Sequence, residues 1–419
     1  MPLHYISQIR KALQALHSGI GKSFIIFPSV FLTSTGISII ELGIIFYIKE
    51  IHGATPSQIG YYTGLWSLCY LIGCLFIRPL FNRVFPRYLL IGSSIFMCVF
   101  IVVIIYVKTF VFAFVYYDLY GIAMSFFWPP IMGWLSQDIE GSRLGKSMAY
   151  FNISWNMGIV IGPIIAGVLS AISPEIPLYA GSSLFFFTGI LIAVGSYVLP
   201  RIRTDRNIEV SPERENSRGD MSTFLRFPGW VGMFTTFIVI GVLINIFPVF
   251  ARDELFLRKE GIGLLMQSRT FISMFVFVFL GQTTFWHFRI SQMVAGQICL
   301  AFVIFFMNCT TSSIVLAVMI ALVGGLRALS YNNSLFHGVS GSIHRTGRMA
   351  VHESLLAAGL IAGSSLGGMI YETYSMSAVY YFCAAVVLFG AVIQVGLYLL
   401  LRRQDGELRR TNTTSARRG

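Results

Sequence analysis

Twelve stretches of about 20 apolar residues follow one another along this chain, and a helix of that length spans the hydrocarbon core of a bilayer. Hydrophobic residues make up 55% of the sequence and charged residues 11%, against roughly 25% charged in an ordinary soluble domain. The composition therefore excludes a soluble globular protein and predicts an all-α integral membrane protein. The predicted spans cover residues 24–49, 57–80, 88–107, 110–135, 147–170, 178–199, 229–250, 261–282, 290–308, 311–335, 349–372 and 377–401.

A glycine pattern near residue 160 returns in the second half of the chain at a constant offset of 201 residues. The matched glycines are Gly158 with Gly359, Gly162 with Gly363, and Gly167 with Gly368. Duplicated membrane proteins of this kind are typically secondary transporters whose halves surround a central site. We therefore expect two pseudo-symmetric six-helix bundles.

The basic excess of the chain, a net charge of +12, is distributed unevenly between the two sides of the predicted membrane. With both termini placed inside, 23 of the 30 Lys and Arg lie in the inner loops and termini. The outer loops hold five, which are Lys49, Lys108, Arg252, Arg258 and Lys259. This asymmetry follows the positive-inside rule, so no nucleic acid is needed to explain the charge. It predicts cytoplasmic termini and a bacterial inner membrane as the location.

Changes in composition along the sequence predict five segments. Residues 201–228 are polar, charged and poor in aliphatic side chains, as expected of a linker with little structure of its own. The predicted order is an amphipathic segment over 1–22, an N-terminal six-helix bundle over 23–200, a cytoplasmic linker over 201–228, a C-terminal six-helix bundle over 229–401 and a basic disordered tail over 402–419.

Two short motifs resemble those of the major facilitator superfamily. In span 5, Gly158, Gly162 and Pro163 are similar to the antiporter-associated G-x-x-x-G-P pattern of that family. The loop after span 2 carries Arg83 and Arg87 where the family's gate motif has arginines, although an asparagine replaces the aspartate of that motif. The resemblance implies a twelve-span fold that works by alternating access, with spans 1, 4, 7 and 10 lining the cavity.

The family resemblance and the glycine repeat also predict which residues take part in gating. Small residues four apart on one helix face let a neighbouring backbone approach closely. Packing alone also explains such a stripe, so both interpretations stay open. The residues assigned to gating are Arg83, Arg87, Gly158, Gly162, Pro163, Gly359, Gly363, His352 and Glu353.

Two carboxylates lie within predicted spans, where an ionisable group is costly and usually faces the bundle interior. Glu41 lies in span 1 and Asp118 in span 4. At about 1.5 Å of rise per residue, each sits at a similar depth, roughly 7 Å from the midpoint of its span. Because two such carboxylates cannot easily both be ionised, they are predicted to bind substrate and couple transport to protons. Substrate contact without coupling and a purely structural role are the alternatives.

Arginines dominate the ionisable groups of the second half. Arg327 in span 10 needs a fixed anionic partner if it is buried. That partner is either a carboxylate of the protein, such as Glu41 or Asp118, or an anionic group on the substrate; an orientation toward the inner surface is a third possibility. Arg269 in span 8 is expected to be structural.

Aromatic and amide side chains in the cavity spans complete the predicted substrate site, since such groups can stack on and hydrogen-bond to an amphiphilic molecule. These are Trp128, Asn245, Tyr331 and Asn332.

No motif for metal or covalent chemistry is found in the sequence. The pair His352-Glu353 begins like a zinc-protease helix, but residue 356, where the second histidine would stand, is Leu356. The six cysteines lie in or at the ends of spans without a pairing pattern, and we interpret them as packing residues. The chain is therefore predicted not to be an enzyme, to hold no metal, and to use no cofactor other than a proton gradient as its energy source.

The sequence thus predicts a secondary active transporter that moves a small organic solute by proton-coupled symport or antiport. We expect a monomer in the lipid bilayer. Two alternatives remain: a lipid or lipophile flippase of the same fold, and a non-transporting membrane receptor or assembly factor. Substrate and direction do not follow from the fold.

Overall fold

The computed structural model describes residues 21–76, 84–136, 141–198, 223–340 and 345–415. Every regular element among these residues is a helix. In chain order the helices are α1 (Gly21–His52), α2 (Pro56–Phe76), α3 (Pro86–Tyr106), α4 (Phe110–Ser125), α5 (Trp128–Ser136), α6 (Gly141–Ile172), α7 (Ile176–Val198), α8 (Arg226–Asn245), α9 (Phe247–Asp253), α10 (Lys259–Gln282), α11 (Ile290–Met307), α12 (Ser313–Val339), α13 (Arg345–Thr373) and α14 (Met376–Ser415).

These helices correspond to the twelve predicted spans. Eleven stretches of the described chain are long and apolar enough to cross a membrane. The remaining predicted span is α2, a helix of 21 residues. The predicted all-α, multi-pass architecture is therefore confirmed.

Two of the spans are each broken into a pair of helices at prolines. α5 begins at Trp128, immediately before Pro129 and Pro130, and α9 begins at Phe247, immediately before Pro248. Proline has no N–H to donate and disfavours helical geometry in the residue before it. The series of helical hydrogen bonds therefore stops after α4 and after α8, and a new helix starts at once.

The chain forms two compact units that largely follow the two sequence repeats. The first unit contains residues 1–54, 65–209 and 257–267, and the second contains residues 55–64, 210–256 and 268–419. The start of α2 thus belongs to the second unit, and the start of α10 belongs to the first. The sequence predicted bundles over 23–200 and 229–401, without this exchange of helix starts between the units. The exchange depends on tertiary contacts, which the sequence pattern does not show.

In the first unit, α1 packs against α6 and α7. The contact with α6 is close because glycines line it. A Cβ on Gly158 would lie 2.7 Å from the backbone nitrogen of Thr35, and a Cβ on Gly162 would lie 2.7 Å from the Ser38 hydroxyl. The small-residue stripe of the sequence therefore packs directly on the backbone of α1.

The second unit repeats this arrangement with α13 against α8. A Cβ on Gly359 would lie 2.7 Å from the carbonyl oxygen of Phe234, and a Cβ on Gly363 would lie 2.9 Å from the Cα of Ile238. The glycine pattern that repeats in the sequence thus makes equivalent helix contacts in both units.

A buried polar network joins α8, α11 and α12 in the second unit. The side-chain oxygen of Gln297 accepts a hydrogen bond from Thr235 at 3.0 Å. Its amide nitrogen is 3.0 Å from both the Gly232 carbonyl and the Thr236 hydroxyl, and 3.1 Å from the Ser330 hydroxyl. Because buried polar groups are costly unless hydrogen-bonded, this network fixes how the three helices pack.

The C-terminal end of the chain differs from the sequence prediction. α14 continues to Ser415, whereas residues 402–419 were predicted to be disordered. The first part of the extension contains Arg, Gln, Glu and Leu, which favour helix, and the extension contains no proline, although Gly406 and the run Thr411–Thr414 favour helix less. The segment 1–20, most of the linker, and Arg83 lie outside the described residues.

Replacing Gly363 by Ala tests the close contact between α13 and α8. The new Cβ would overlap the main chain of Ile238, which cannot rotate away, so we expect a loss of about 1–3 kcal/mol in stability. The measurement is thermal unfolding of the purified protein in detergent. Gly396→Ala is the matched control, because a Cβ on Gly396 meets no atom within 4 Å. Equal melting temperatures for the two variants would contradict the proposed close packing.

Candidate functional site

The two predicted coupling carboxylates lie in the first unit and have different neighbours. Glu41 of α1 is half-buried, near Tyr120 of α4. Asp118 of α4 is also half-buried, near Cys69 of α2. The Asp118 Oδ1 atom is buried and has no hydrogen-bond partner among the described residues. That Glu41 and Asp118 lie at the same depth in the membrane and act together stays a prediction.

Aromatic rings from α2 and α4 surround this part of the first unit, and sequence reasoning did not single them out. Trp66 of α2 packs against Tyr117 and Tyr120 of α4. The indole can approach α4 because Gly121 has no side chain: a Cβ there would lie 2.8 Å from Trp66 Cδ1. The available signal was the spacing on α4, which places Tyr117, Tyr120 and Gly121 on one face of the helix.

A second cluster, in the second unit, unites residues that the sequence assigned to separate roles. The Tyr331 ring packs at 4.8 Å from the His352 ring, and Arg327 and Glu353 lie near Tyr331. The guanidinium of Arg327 lies 5.7 Å from the ring centroid of Phe277. Two predicted substrate residues of α12 and two predicted gating residues of α13 are therefore neighbours.

His352 itself is buried within this cluster. Its Nδ1 atom lies 2.8 Å from the hydroxyl of Ser334, which is also buried. Its Nε2 atom is buried without a hydrogen-bond partner among the described residues. The histidine therefore links α13 to α12 within one unit.

The other predicted substrate residues lie in varied surroundings. The amide nitrogen of Asn245 is buried and donates hydrogen bonds to Ser364 at 2.8 Å and to the Gly241 carbonyl at 3.2 Å, which ties α8 to α13. Trp128 packs edge-on against Trp155 of α6 at 4.3 Å. Asn332 is half-buried on α12. Their contact with a substrate stays a prediction.

Of the remaining predicted residues, Arg87 and Arg269 have clear positions. The Arg87 guanidinium donates a hydrogen bond to the Tyr88 hydroxyl at 3.0 Å and lies over the Tyr88 ring. Arg269 is buried where α10 packs on α12, and a Cβ on Gly324 would overlap the Arg269 main chain. This position agrees with the structural role expected for Arg269.

The start of α10 is anchored in the first unit by a buried lysine that the sequence analysis counted only as an outer-loop charge. Lys259 Nζ lies 2.7 Å from one Glu50 carboxylate oxygen and 2.8 Å from the other. It also donates a hydrogen bond to the Ser170 carbonyl at 2.8 Å. Beside this group, a Cβ on Gly167 would lie 2.6 Å from the Lys259 carbonyl.

The start of α2 makes the equivalent contact in the second unit. A Cβ on Gly368 would lie 3.2 Å from the Cα of Ser57. The Ser57 backbone N–H, in the first turn of α2, donates a hydrogen bond to the Glu372 carboxylate at 2.9 Å. A carboxylate is favourable there because helix N-termini carry unsatisfied N–H groups and a partial positive charge.

Comparisons with known proteins agree with this architecture. The chain matches the family model of the Major Facilitator Superfamily over residues 26–344. It is similar to the crystal structure of the nucleoside transporter NupG, with a TM-score of 0.72 at 11% identity, covering 90% of this chain and 99% of that one. It is also similar to a bacterial homologue of the lysosomal transporter Spinster, with a TM-score of 0.69 at 14% identity, covering 92% and 98% of the two chains. These identities show the fold alone.

Two curated relatives match part of the chain. An uncharacterized MFS-type transporter of Methanocaldococcus jannaschii is 26% identical over 176 residues, which are 42% of this chain and 44% of the relative. Multidrug resistance protein 1 of Bacillus subtilis is 22% identical over 237 residues, which are 54% of this chain and 57% of the relative. The chain thus spans about half the length of the curated relatives it matches. The family model covers most of the chain. The chain therefore belongs to the major facilitator superfamily.

Proposed function

We propose that this protein moves a small organic solute across the membrane by alternating access. The observation that carries the proposal is the duplicated contact at the starts of α10 and α2. Gly167 packs on the start of α10, and Gly368 packs on the start of α2. The two glycines are 201 residues apart in the sequence, so the repeat supplies the same contact twice. A transporter built from repeats uses equivalent contacts on both sides of its pseudo-symmetry axis.

Both contacts are suited to opening and closing. Glycine against backbone makes a smooth surface without interlocking side chains, so the helices can separate without forcing rotamer changes. Each contact is then held by few polar bonds, made by Lys259 in one case and by Glu372 in the other. In the proposed topology, with cytoplasmic termini, both contacts lie at the outer side of the membrane.

Proton coupling through Asp118 and Glu41 is the second part of the proposal. The Oδ1 atom of Asp118 is buried and has no hydrogen-bond partner among the described residues. A carboxyl group in such a place can bind a proton in one state of the transport cycle and release it when water or a cationic group reaches the site. Binding and release of a proton can thereby accompany each change of access. The energy source would be a proton gradient, without any cofactor.

The variants Asp118→Asn and Glu41→Gln test the coupling. A thermal-shift screen against sugars, amino acids, organic anions and organic cations first identifies a solute, because a ligand at a hundredfold excess over its Kd adds about 2.7 kcal/mol to stability. Uptake of that solute into proteoliposomes is then measured between pH 5.5 and 8. We expect both variants to remain folded and to lose the pH dependence of uptake. If both keep the wild-type pH dependence, neither carboxylate couples transport to protons.

The variant Lys259→Met tests whether the contact at α10 controls access. This change removes the ion pair with Glu50, whose side chain is 33% exposed, and the buried hydrogen bond to the Ser170 carbonyl, so we expect the start of α10 to separate more often. Hydrogen–deuterium exchange of residues 257–267 should accelerate by about tenfold, which corresponds to about 1.4 kcal/mol, and the rate of solute uptake should change with it.

The control is Arg258→Gln, one residue away. Arg258 pairs with Glu260 at 3.2 Å, but its side chain is 85% exposed, and exposed ion pairs contribute little. This variant should therefore exchange like the wild type. Equal exchange in Lys259→Met and Arg258→Gln would rule out a controlling role for the buried pair.

A further inference from the structure

The last helix, α14, continues well beyond its apolar stretch. The part that is long and apolar enough to cross a membrane covers Met376–Arg403, whereas the helix covers Met376–Ser415. Residues 404–415 therefore extend the helix by about 18 Å, at about 1.5 Å per residue. One continuous helix thus leads from the bilayer interior to the polar region outside it.

The rotation of α14 about its own axis is fixed by the side that it buries. Val387, Ala391 and Gln394 are buried, and their spacing of four and three residues places them on one side of the helix. The Gln394 amide nitrogen donates a hydrogen bond to the Pro228 carbonyl at 2.8 Å, which attaches this side to α8. The direction of the opposite side of α14 is therefore defined as well.

The opposite side of α14 carries exposed apolar side chains. Val392 is 67% exposed, and Leu399, seven residues later, is 59% exposed. Val395 lies between them along the helix and is also exposed. Lipid chains are as apolar as these side chains, so exposed apolar residues on a spanning helix face lipid. We call Val392, Val395 and Leu399 the lipid-facing stripe.

Four arginines continue the lipid-facing stripe beyond the apolar stretch. In a helix, positions four or seven residues apart lie within about 40° of one another around the axis. Steps of seven lead from Val395 to positions 402 and 409, and steps of four and seven lead from Leu399 to positions 403 and 410. We call these four positions the basic stripe, which consists of Arg402, Arg403, Arg409 and Arg410.

The acidic residues of the extension lie away from the basic stripe. Gly406 is at the centre of the stripe, and Asp405 and Glu407 precede and follow it directly. Adjacent positions in a helix differ by about 100° around the axis, so both acidic positions are on the flanks. The positive-inside rule concerns the number of basic residues near a span and does not require them to share one side of a helix. This arrangement therefore indicates more than topology.

The arginine nearest to the apolar stretch lies among aromatic rings. Arg402 is exposed, and its guanidinium is 5.8 Å from the ring centroid of Tyr398. The Tyr398 ring packs against Phe224, just before α8, at 5.9 Å. At the start of α8, the Arg226 guanidinium lies 4.6 Å from the ring centroid of Phe227. Aromatic rings are enriched at the level of the lipid headgroups, and arginine extends its charged end toward that level.

We propose that the basic stripe binds the anionic headgroups of phospholipids and holds the end of α14 at the membrane surface. The basic stripe continues the side of the helix that faces lipid, so headgroups are the first groups that it meets outside the hydrocarbon. A guanidinium binds phosphate by paired hydrogen bonds as well as by charge. In the proposed topology this end of α14 is at the cytoplasmic leaflet, whose anionic lipids attract basic segments next to a span. The inference does not depend on the proposed transport function.

The test is hydrogen–deuterium exchange of residues 402–415 in the full-length protein, in nanodiscs of phosphatidylcholine with or without phosphatidylglycerol. Each arginine near an anionic surface strengthens binding roughly fivefold, so we expect phosphatidylglycerol to slow exchange by at least about tenfold. High salt should remove the difference, because it screens charges outside the bilayer. Equal exchange in the two lipid mixtures would overturn the inference.

A variant of unchanged composition separates the basic stripe from the net charge. It combines Arg402→Gln with Gln404→Arg, and Arg410→Thr with Thr411→Arg. Positions 404 and 411 lie about 140–160° from the centre of the stripe, so two charges move to the other side of the helix. We expect this variant to melt like the wild type and to lose at least about fivefold of the protection. Full protection in this variant would assign the effect to net charge and contradict a role for the stripe.

Two further measurements identify the bound group. Inorganic phosphate added to phosphatidylcholine nanodiscs should leave the exchange of residues 402–415 unchanged. If it protects them as phosphatidylglycerol does, the stripe binds a free ion and the lipid inference is wrong. The amides of α3, in the first unit, should exchange equally in both lipid mixtures. A matching change in α3 would assign the effect to the whole protein and would also overturn the inference.

Discussion

Hydrocarbon offers no hydrogen-bond partner to a peptide group, and every other feature of this protein follows from that constraint. Each spanning segment must pair its own backbone, which leaves the helix as the solution for this chain. Helices surrounded by lipid gain little from burying apolar side chains, so they associate through close packing and polar contacts. Glycines such as Gly162 and Gly363 allow the close packing. Networks such as the one around Gln297 make the polar contacts.

The sequence repeat gives the two units the same geometry but leaves them different chemistry. Gly167 and Gly368 make equivalent contacts with the start of a helix. One contact is secured by a buried lysine that binds a carboxylate and a carbonyl, and the other by a carboxylate on a helix N-terminus. Lys259 is buried and Glu50 is 33% exposed, whereas the Glu372 carboxylate accepts its hydrogen bond from an exposed helix start. The two contacts therefore share a geometry but differ in the polar groups that hold them.

The buried polar residues of the spans differ in how many hydrogen bonds they make. Gln297 uses both ends of its amide, and Asn245 uses its amide nitrogen to join two helices. By contrast, Trp66, Asp118 and Tyr120 each keep a buried polar atom without a partner among the described residues.

The sequence by itself determined the membrane class, the twelve spans, the duplication and the family, because hydropathy and glycine spacing are local and periodic signals. It also identified Arg327, Tyr331 and Glu353 as notable, though not that they are neighbours. Only the tertiary structure decided which side chains meet: that Trp66 packs against Tyr120 and that Lys259 pairs with Glu50 at the end of α1. Such contacts join residues up to 315 positions apart, as between Ser57 and Glu372, and their formation depends on how helices rotate and pack, which no local pattern of residues encodes.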